Sequence, residues 1–184
     1  MLFRSWVNKI IPMKRLLIFL ISMCVYLSTF AQPAFVDKCN MSYLNMLSGL
    51  PSNFVDDIYS DSFGFIWIST HGGGLVRYDG FSYRYFGVGS DGMSLKSNTC
   101  HNVVEDRFHR LWISFEECTE VLDLKTMHSV VPKSKNDELK RIMSQMSVKV
   151  YCDSKGYIWV VDRYDICRVE FDEKGDVKEI LKFA

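Results

Sequence analysis

From residue 54 onward, short apolar runs alternate with polar turn clusters, and the alternation itself repeats. Phe54–Tyr59, Phe65–Thr70, Leu75–Tyr78 and Phe81–Phe86 are rich in aromatic and β-branched residues. They are separated by Asp61-Ser62-Phe63-Gly64, by Gly72-Gly73-Gly74 and by Asp79-Gly80. Runs of this length between Gly/Asp clusters predict β-strands. Asp79-Gly80 is a strong hairpin signal. In the first turn, Asp61 can bond the backbone two residues on, and Gly64 accepts positive φ. Phe65–Thr70 is nearly continuously apolar, as a strand buried on both faces must be. Four strands joined by short turns predict one antiparallel meander.

The same pattern returns twice. The second copy runs His101–Glu105, Leu111–Phe115, Glu120–Leu124 and Met127–Val131. The third runs Val148–Cys152, Tyr157–Val161, Ile166–Phe171 and Val177–Phe183, with Lys174-Gly175-Asp176 at its last turn. Each copy carries an aspartate six positions before a tryptophan: Asp61 and Trp67, Asp106 and Trp112, Asp153 and Trp159. The tryptophans are 45 and then 47 residues apart. A period near 45 with strand contents is the signature of four-stranded propeller blades. The expected fold is therefore all-β, a partial β-propeller of three consecutive four-stranded antiparallel blades. Blade 1 takes residues 50–94, blade 2 with an inter-blade loop 95–143, and blade 3 144–184.

On this reading each tryptophan fills the wedge between adjacent sheets, burying about 150–250 Å². Asp61, Gly64, Gly74, Asp79, Gly80, Asp106, Asp153 and Gly156 shape turns and breaks rather than bind metal. Pro132–Met146 is polar and lysine-rich with weak helical periodicity, which predicts an exposed loop holding at most one helical turn. Within the lead-in at residues 32–49, Tyr43–Leu47 reads as a short strand.

The first 31 residues differ in kind. Arg4, Lys9, Lys14 and Arg15 precede the apolar run Leu16–Leu27, and Ser28-Thr29-Phe30-Ala31 follows. A basic start, a short apolar stretch and small residues at a cleavage position form a secretory signal, cut after Ala31. Met13 is a more natural start than Met1. The alternative, an uncleaved anchor, needs roughly 20 apolar residues, and this run falls well short. Beyond residue 31 the chain holds 18 basic and 22 acidic residues. A mildly acidic body has no electrostatic footprint for nucleic acid. Five cysteines then remain, Cys39, Cys100, Cys118, Cys152 and Cys167. Export permits disulfides, but an odd count leaves a thiol over, and buried free thiols are the simpler expectation.

Leu50-Pro51-Ser52-Asn53, then Asp61 through Gly64-Phe65-Ile66-Trp67-Ile68, then Gly73-Gly74-Leu75-Val76-Arg77-Tyr78-Asp79-Gly80 together resemble the two-component regulator propeller repeat. The resemblance covers roughly residues 41–183. In the second copy His109 replaces the turn glycine, and Glu116-Glu117-Cys118 replaces the Gly-rich break. The third has Arg163-Tyr164-Asp165 at that break. The resemblance implies the periplasmic sensor region of a Bacteroides-type hybrid two-component system. It further implies a homodimeric parent anchored in the inner membrane, whose kinase and DNA-binding parts lie outside this chain. It also implies that an oligosaccharide from a glycan is the ligand, with transcription as the output.

No chemistry stands out beside this. His71, His101, His109 and His128 lie at different repeat positions without metal-ligand spacing, and no nucleophile elbow or phosphate loop occurs. No catalytic residue, metal or cofactor is assigned. In an up-and-down blade, the loop between strands two and three emerges at the same end as the connection between blades. That end gathers His71, Glu116, Glu117, Arg163 and Tyr164 with Pro51–Asn53 and Ser97-Asn98. Recognition groups commonly sit on such loops, so His71, Arg163 and Tyr164 are the candidate ligand contacts; the plainer reading is solvated loop tips. Three blades cannot close a ring that takes four to eight, so the remaining blades of a parent chain are expected partners. A secreted propeller enzyme acting on polysaccharide and a passive protein-binding scaffold are the competing readings.

Overall fold

The computed structural model describes Ile18, residues 20–23, 43–90, 94–146 and 149–183. The chain divides into two units, Met1–Ser42 and Tyr43–Ala184. In the first, Ile18 and residues 20–23 are helical. The rest of the assigned leader, its cleavage point, residues 32–42 of the lead-in and Cys39 lie outside the described residues. Among the described residues no helix is long and apolar enough to cross a membrane.

The second unit is three four-stranded antiparallel sheets, each a meander in chain order. Sheet 1 is β1 (Val55–Ser60), β2 (Ile66–Thr70), β3 (Gly74–Tyr78) and β4 (Tyr83–Phe86). Sheet 2 is β5 (Cys100–Glu105), β6 (Arg110–Phe115), β7 (Thr119–Asp123) and β8 (His128–Ser129). Sheet 3 is β9 (Lys149–Cys152), β10 (Ile158–Val161), β11 (Ile166–Phe171) and β12 (Val177–Phe183). These are the twelve strands that the alternation predicts.

The aspartate–tryptophan spacing has a specific physical cause. Asp61 Oδ1 accepts the N–H groups of Phe63 and Phe65, both at 2.9 Å, and closes the β1–β2 turn. Its Oδ2 accepts the Trp67 indole N–H at 2.7 Å. Asp106 binds Trp112 and Asp153 binds Trp159 in the same way, each at 2.9 Å. One carboxylate thus shapes the turn and satisfies a buried indole donor, which would otherwise cost free energy.

Two cores separate the sheets. Trp67, Leu75 and Phe86 of sheet 1 pack with Leu111, Ile113 and Phe115 of sheet 2. From the opposite face of sheet 2, Trp112 and Val121 pack with Ile158, Val160, Val169 and Phe171 of sheet 3. Alternate residues of β6 serve alternate cores, as strand geometry requires, and all six are buried. Trp67 and Trp112 are fully buried, so the wedge role holds for both; Trp159 is half-buried.

Innermost strands are tied by a repeated polar contact. A register shift interrupts β1 between Val55 and Asp57 and β5 between Cys100 and Asn102, at equivalent places. Asp57 Oδ2 accepts the Val103 N–H of the next sheet at 3.3 Å. Asn102 both donates to Val150 O (2.7 Å) and accepts from Val150 N (3.0 Å), imitating a strand partner.

Several expectations are corrected. Tyr43–Leu47 is no strand: Met46–Ser48 form a 3-10 turn capped by Asn45, whose side chain accepts from Leu47 N and Ser48 N. Residues 132–146 are not simply an exposed loop. They contain helix α1 (Glu138–Met143), whose Leu139, Ile142 and Met143 are buried in the core between sheets 2 and 3. Phe81 lies outside β4 because Asp79 Oδ1 accepts the N–H groups of Phe81 and Ser82, making them part of the turn. β8 is shorter than Met127–Val131, since Met127 takes φ 59° at the preceding turn.

Candidate ligand surface and sheet seams

In each meander the β1–β2 and β3–β4 type turns share one end, and the β2–β3 type loops share the other with the inter-sheet connections. At this second end the three equivalent loops follow β2, β6 and β10. The β2–β3 loop is held by Thr70 Oγ1 donating to Gly74 O (2.7 Å) and by Gly74 N–H donating to Asn98 O (2.7 Å). Gly74 has φ 78°, and a Cβ there would lie 2.3 Å from Phe86 O, so both conformation and space demand glycine. His71 is exposed on this loop, its backbone N–H bound to Phe54 O. Glu116 and Glu117 are exposed on the β6–β7 loop.

The β10–β11 loop closes on its own aspartate. Asp162 Oδ1 accepts the N–H groups of Tyr164 and Asp165, both at 2.6 Å, and Asp162 N–H donates to Asp165 O. This hydrogen-bonded turn holds Arg163 and Tyr164 out in solvent; Tyr164 is 87% exposed. Gln145 and Met146, just past α1, face it across a cleft of about 240 Å³ lined also by Asp162, Arg163 and Tyr164. The structure therefore brings Arg163 and Tyr164 together and leaves His71 on a different sheet, outside the cleft. Gln145, Met146 and Asp162 escaped the sequence reading. The Asp162-x-x-Asp165 turn was legible in principle, whereas the approach of Gln145 depends on the helix.

A buried carboxylate also escaped notice. Glu120 of β7 is 4% exposed, and burial pushes its carboxyl above the ordinary range despite Lys96 at 3.7 Å. Cys100 is enclosed and bonded to Ser69 Oγ, and burial pushes its thiol up to about 12. Burial also raises the thiols of Cys118, Cys152 and Cys167, and all four of these described cysteines are free. Such thiols are poor nucleophiles.

At the opposite end the seam between sheets 1 and 2 holds a serine, a histidine and an acid. Ser62 N–H and Oγ–H donate to Glu105 Oε2 and Oε1 at 2.7 and 2.6 Å. His109 Nδ1 lies 2.9 Å from both Ser62 Oγ and Glu105 Oε1. A nucleophilic triad places hydroxyl and acid on opposite ring nitrogens. Here they share one nitrogen, so no proton relay runs through the ring, and the cluster is a clamp between sheets. His109 stands where the other copies have glycine and takes φ 60°. Between sheets 2 and 3 the clamp uses other residues. Arg107 Nη2 donates to Phe171 O (2.9 Å), and Arg110 Nη1 donates to Gly175 O (2.7 Å).

A family model described as Two component regulator propeller matches residues 49–72, the stretch that runs from the C-cap of the 3-10 turn through β1 and β2. The fold is shared with a solved extracellular domain of the hybrid two component system BT3049 from B. thetaiotaomicron. That likeness has 20% identity and a TM-score of 0.59, over 75% of this chain and 20% of that one. The extracellular domain of the hybrid two component system BT4673 from the same organism matches at 17% identity and a TM-score of 0.50. It covers 69% of this chain and 18% of that one. The chain thus spans about a fifth of the length of the structures it matches. No curated protein matches it.

Proposed function

We propose that this chain is an exported, ligand-sensing blade segment of a hybrid two-component sensor, and that the loop end of sheet 3 contacts an oligosaccharide derived from a glycan. The cleft between Gln145-Met146 and Asp162–Tyr164 carries the reading. Its volume suits a sugar ring, and its lining combines the groups such a ring needs. The Tyr164 ring offers an apolar plate for the C–H face. The Arg163 guanidinium offers a planar fork of donors for neighbouring hydroxyls. Gln145 can donate and accept, and Asp162 Oδ2 takes no part in the turn bonds that occupy Oδ1. A hydrogen-bonded turn presenting exposed groups lowers the ordering cost of binding. The likeness to extracellular domains of hybrid two component systems supports export and sensing, with histidine-kinase output belonging to a membrane-anchored parent.

The test is calorimetric titration of the chain with oligosaccharides from partial digests of plant and host polysaccharides. At least one set binds, and Tyr164→Ala and Arg163→Ala each weaken it by roughly tenfold, equivalent to about 1.4 kcal/mol. His71→Ala leaves it unchanged. Binding that survives the Arg163→Ala, Tyr164→Ala double variant at full strength removes the cleft from the function.

A further inference from the structure

β1 and β5 each carry one residue more than their ladder can pair. The register shifts fall at Asp56 and at His101, the same place in sheets 1 and 2. A bulge leaves its extra residue unpaired and re-aims that side chain. The residues next in line do the structural work: Asp57 and Asn102 tie each inner strand to the following one. Asp56 and His101 take no part in those ties. Instead they face each other, His101 Nδ1 lying 3.9 Å from Asp56 Oδ2, with the side chains 31% and 35% exposed. Neither side chain makes a hydrogen bond among the described residues.

The gap between them has the size of one hydroxyl. An oxygen about 2.7 Å from the carboxylate and about 2.9 Å from the ring N–H meets the two at an angle of about 90°. A hydroxyl donates one proton and accepts others, so it answers the carboxylate and the Nδ1–H tautomer together. A metal ion is a poorer occupant. Among the described residues no group of three His, Cys, Asp or Glu side chains could hold one. The adjoining Asp57 spends its two carboxylate oxygens on the N–H groups of Ile58 and Val103. Val55 pairs with Thr70 and Cys100 with Phe115, so both bulges stand at the loop end, the end that carries the Tyr164 cleft. Phe54, 73% exposed, adds apolar surface at the same end of β1.

We propose that Asp56 and His101 form a second subsite for the ligand, on the inner rim of sheets 1 and 2, that takes a sugar hydroxyl. The inference rests on the sugar reading of the cleft and adds that the ligand is an oligosaccharide of several rings. The cleft is lined by the sheet 3 loop and the chain after α1, and its volume suits a single ring. The rim subsite belongs to the other two sheets. A short sugar fills the cleft alone, and only a longer one meets both.

The experiment separates the partial digests by size and titrates disaccharide and hexasaccharide fractions into the chain by calorimetry. Hexasaccharides bind more tightly. Asp56→Ala and His101→Ala each weaken hexasaccharide binding by roughly tenfold and leave the disaccharides unchanged, whereas Tyr164→Ala weakens both. His101→Asn, whose side-chain N–H stands where Nδ1–H does, keeps most of the affinity. In NMR spectra the His101 Cε1–H signal moves with the hexasaccharides only. If Tyr164→Ala weakens binding and the rim variants do not, the subsite falls and the cleft reading stands. Equal losses for both fractions in the rim variants also overturn the subsite, because they report a structural role. A chain that binds neither fraction removes the cleft reading and the subsite together.

Discussion

The carboxylate six residues ahead of each tryptophan is the unit on which the three sheets depend. Asp61 is 7% exposed and accepts three hydrogen bonds. Asp61→Ala strips the turn of its acceptor and leaves the Trp67 indole N–H buried and unsatisfied. Urea unfolding should show a loss of about 2–4 kcal/mol, summed over these bonds, while Asp61→Asn keeps an acceptor at Oδ1 and loses less. An alanine variant as stable as the parent would show that the spacing has another cause. The third copy carries the same device at the surface. Burial by itself would raise the Asp153 carboxyl, but the Trp159 indole and the N–H groups of Tyr157 and Lys155 together hold it below its ordinary value. Glu120 behaves oppositely. Its carboxyl is raised by burial, so the folded state binds its proton more tightly than the unfolded chain does. Its contribution is then favourable below the unfolded value, about 4.3, and is lost as pH rises through the raised folded value. Glu120→Gln is therefore expected to gain thermal stability relative to the parent between pH 4 and pH 7. A difference in Tm that stays constant with pH would refute the assignment.

At the scale of elements, the strands other than the two-residue β8 were legible because they combine apolar content with turns whose chemistry is local. β11 and β12 match their predicted bounds residue for residue. The misreadings fall where local pattern competes with packing. A six-residue helix has no stability alone, and polar Lys135, Asn136 and Lys140 hide its apolar side. Helix α1 forms because Leu139, Ile142 and Met143, at spacings of three and four, enter the core between sheets 2 and 3. Leu139 is fully buried, so Leu139→Ala should cost about 2–5 kcal/mol in chemical unfolding. Lys140→Ala, which loses only an exposed pair with Asp137, should cost less than about 1 kcal/mol. Equal effects from the two substitutions would mean that the helix does not dock. The Tyr43–Leu47 misreading has the converse origin: Asn45 offers the backbone its side chain, and a capped turn replaces the extended chain.

For the molecule as a whole, the repeat period alone determined three radial sheets, because turn chemistry and strand burial are written within each copy of about 45 residues. It also determined which loops share an end, since an up-and-down meander leaves no choice. Tertiary structure decided what lies between copies. The Glu105–Ser62–His109 clamp joins residues up to 47 positions apart, and the Arg107 and Arg110 contacts span 64 and 65. No local signal marks such pairs. The cleft is of the same kind: Gln145 meets Tyr164 only because a docked helix returns the chain to the sheet 3 loop. Short-range hydrogen bonds and strand patterning are encoded where they act, whereas seams and clefts arise from packing one sheet against another.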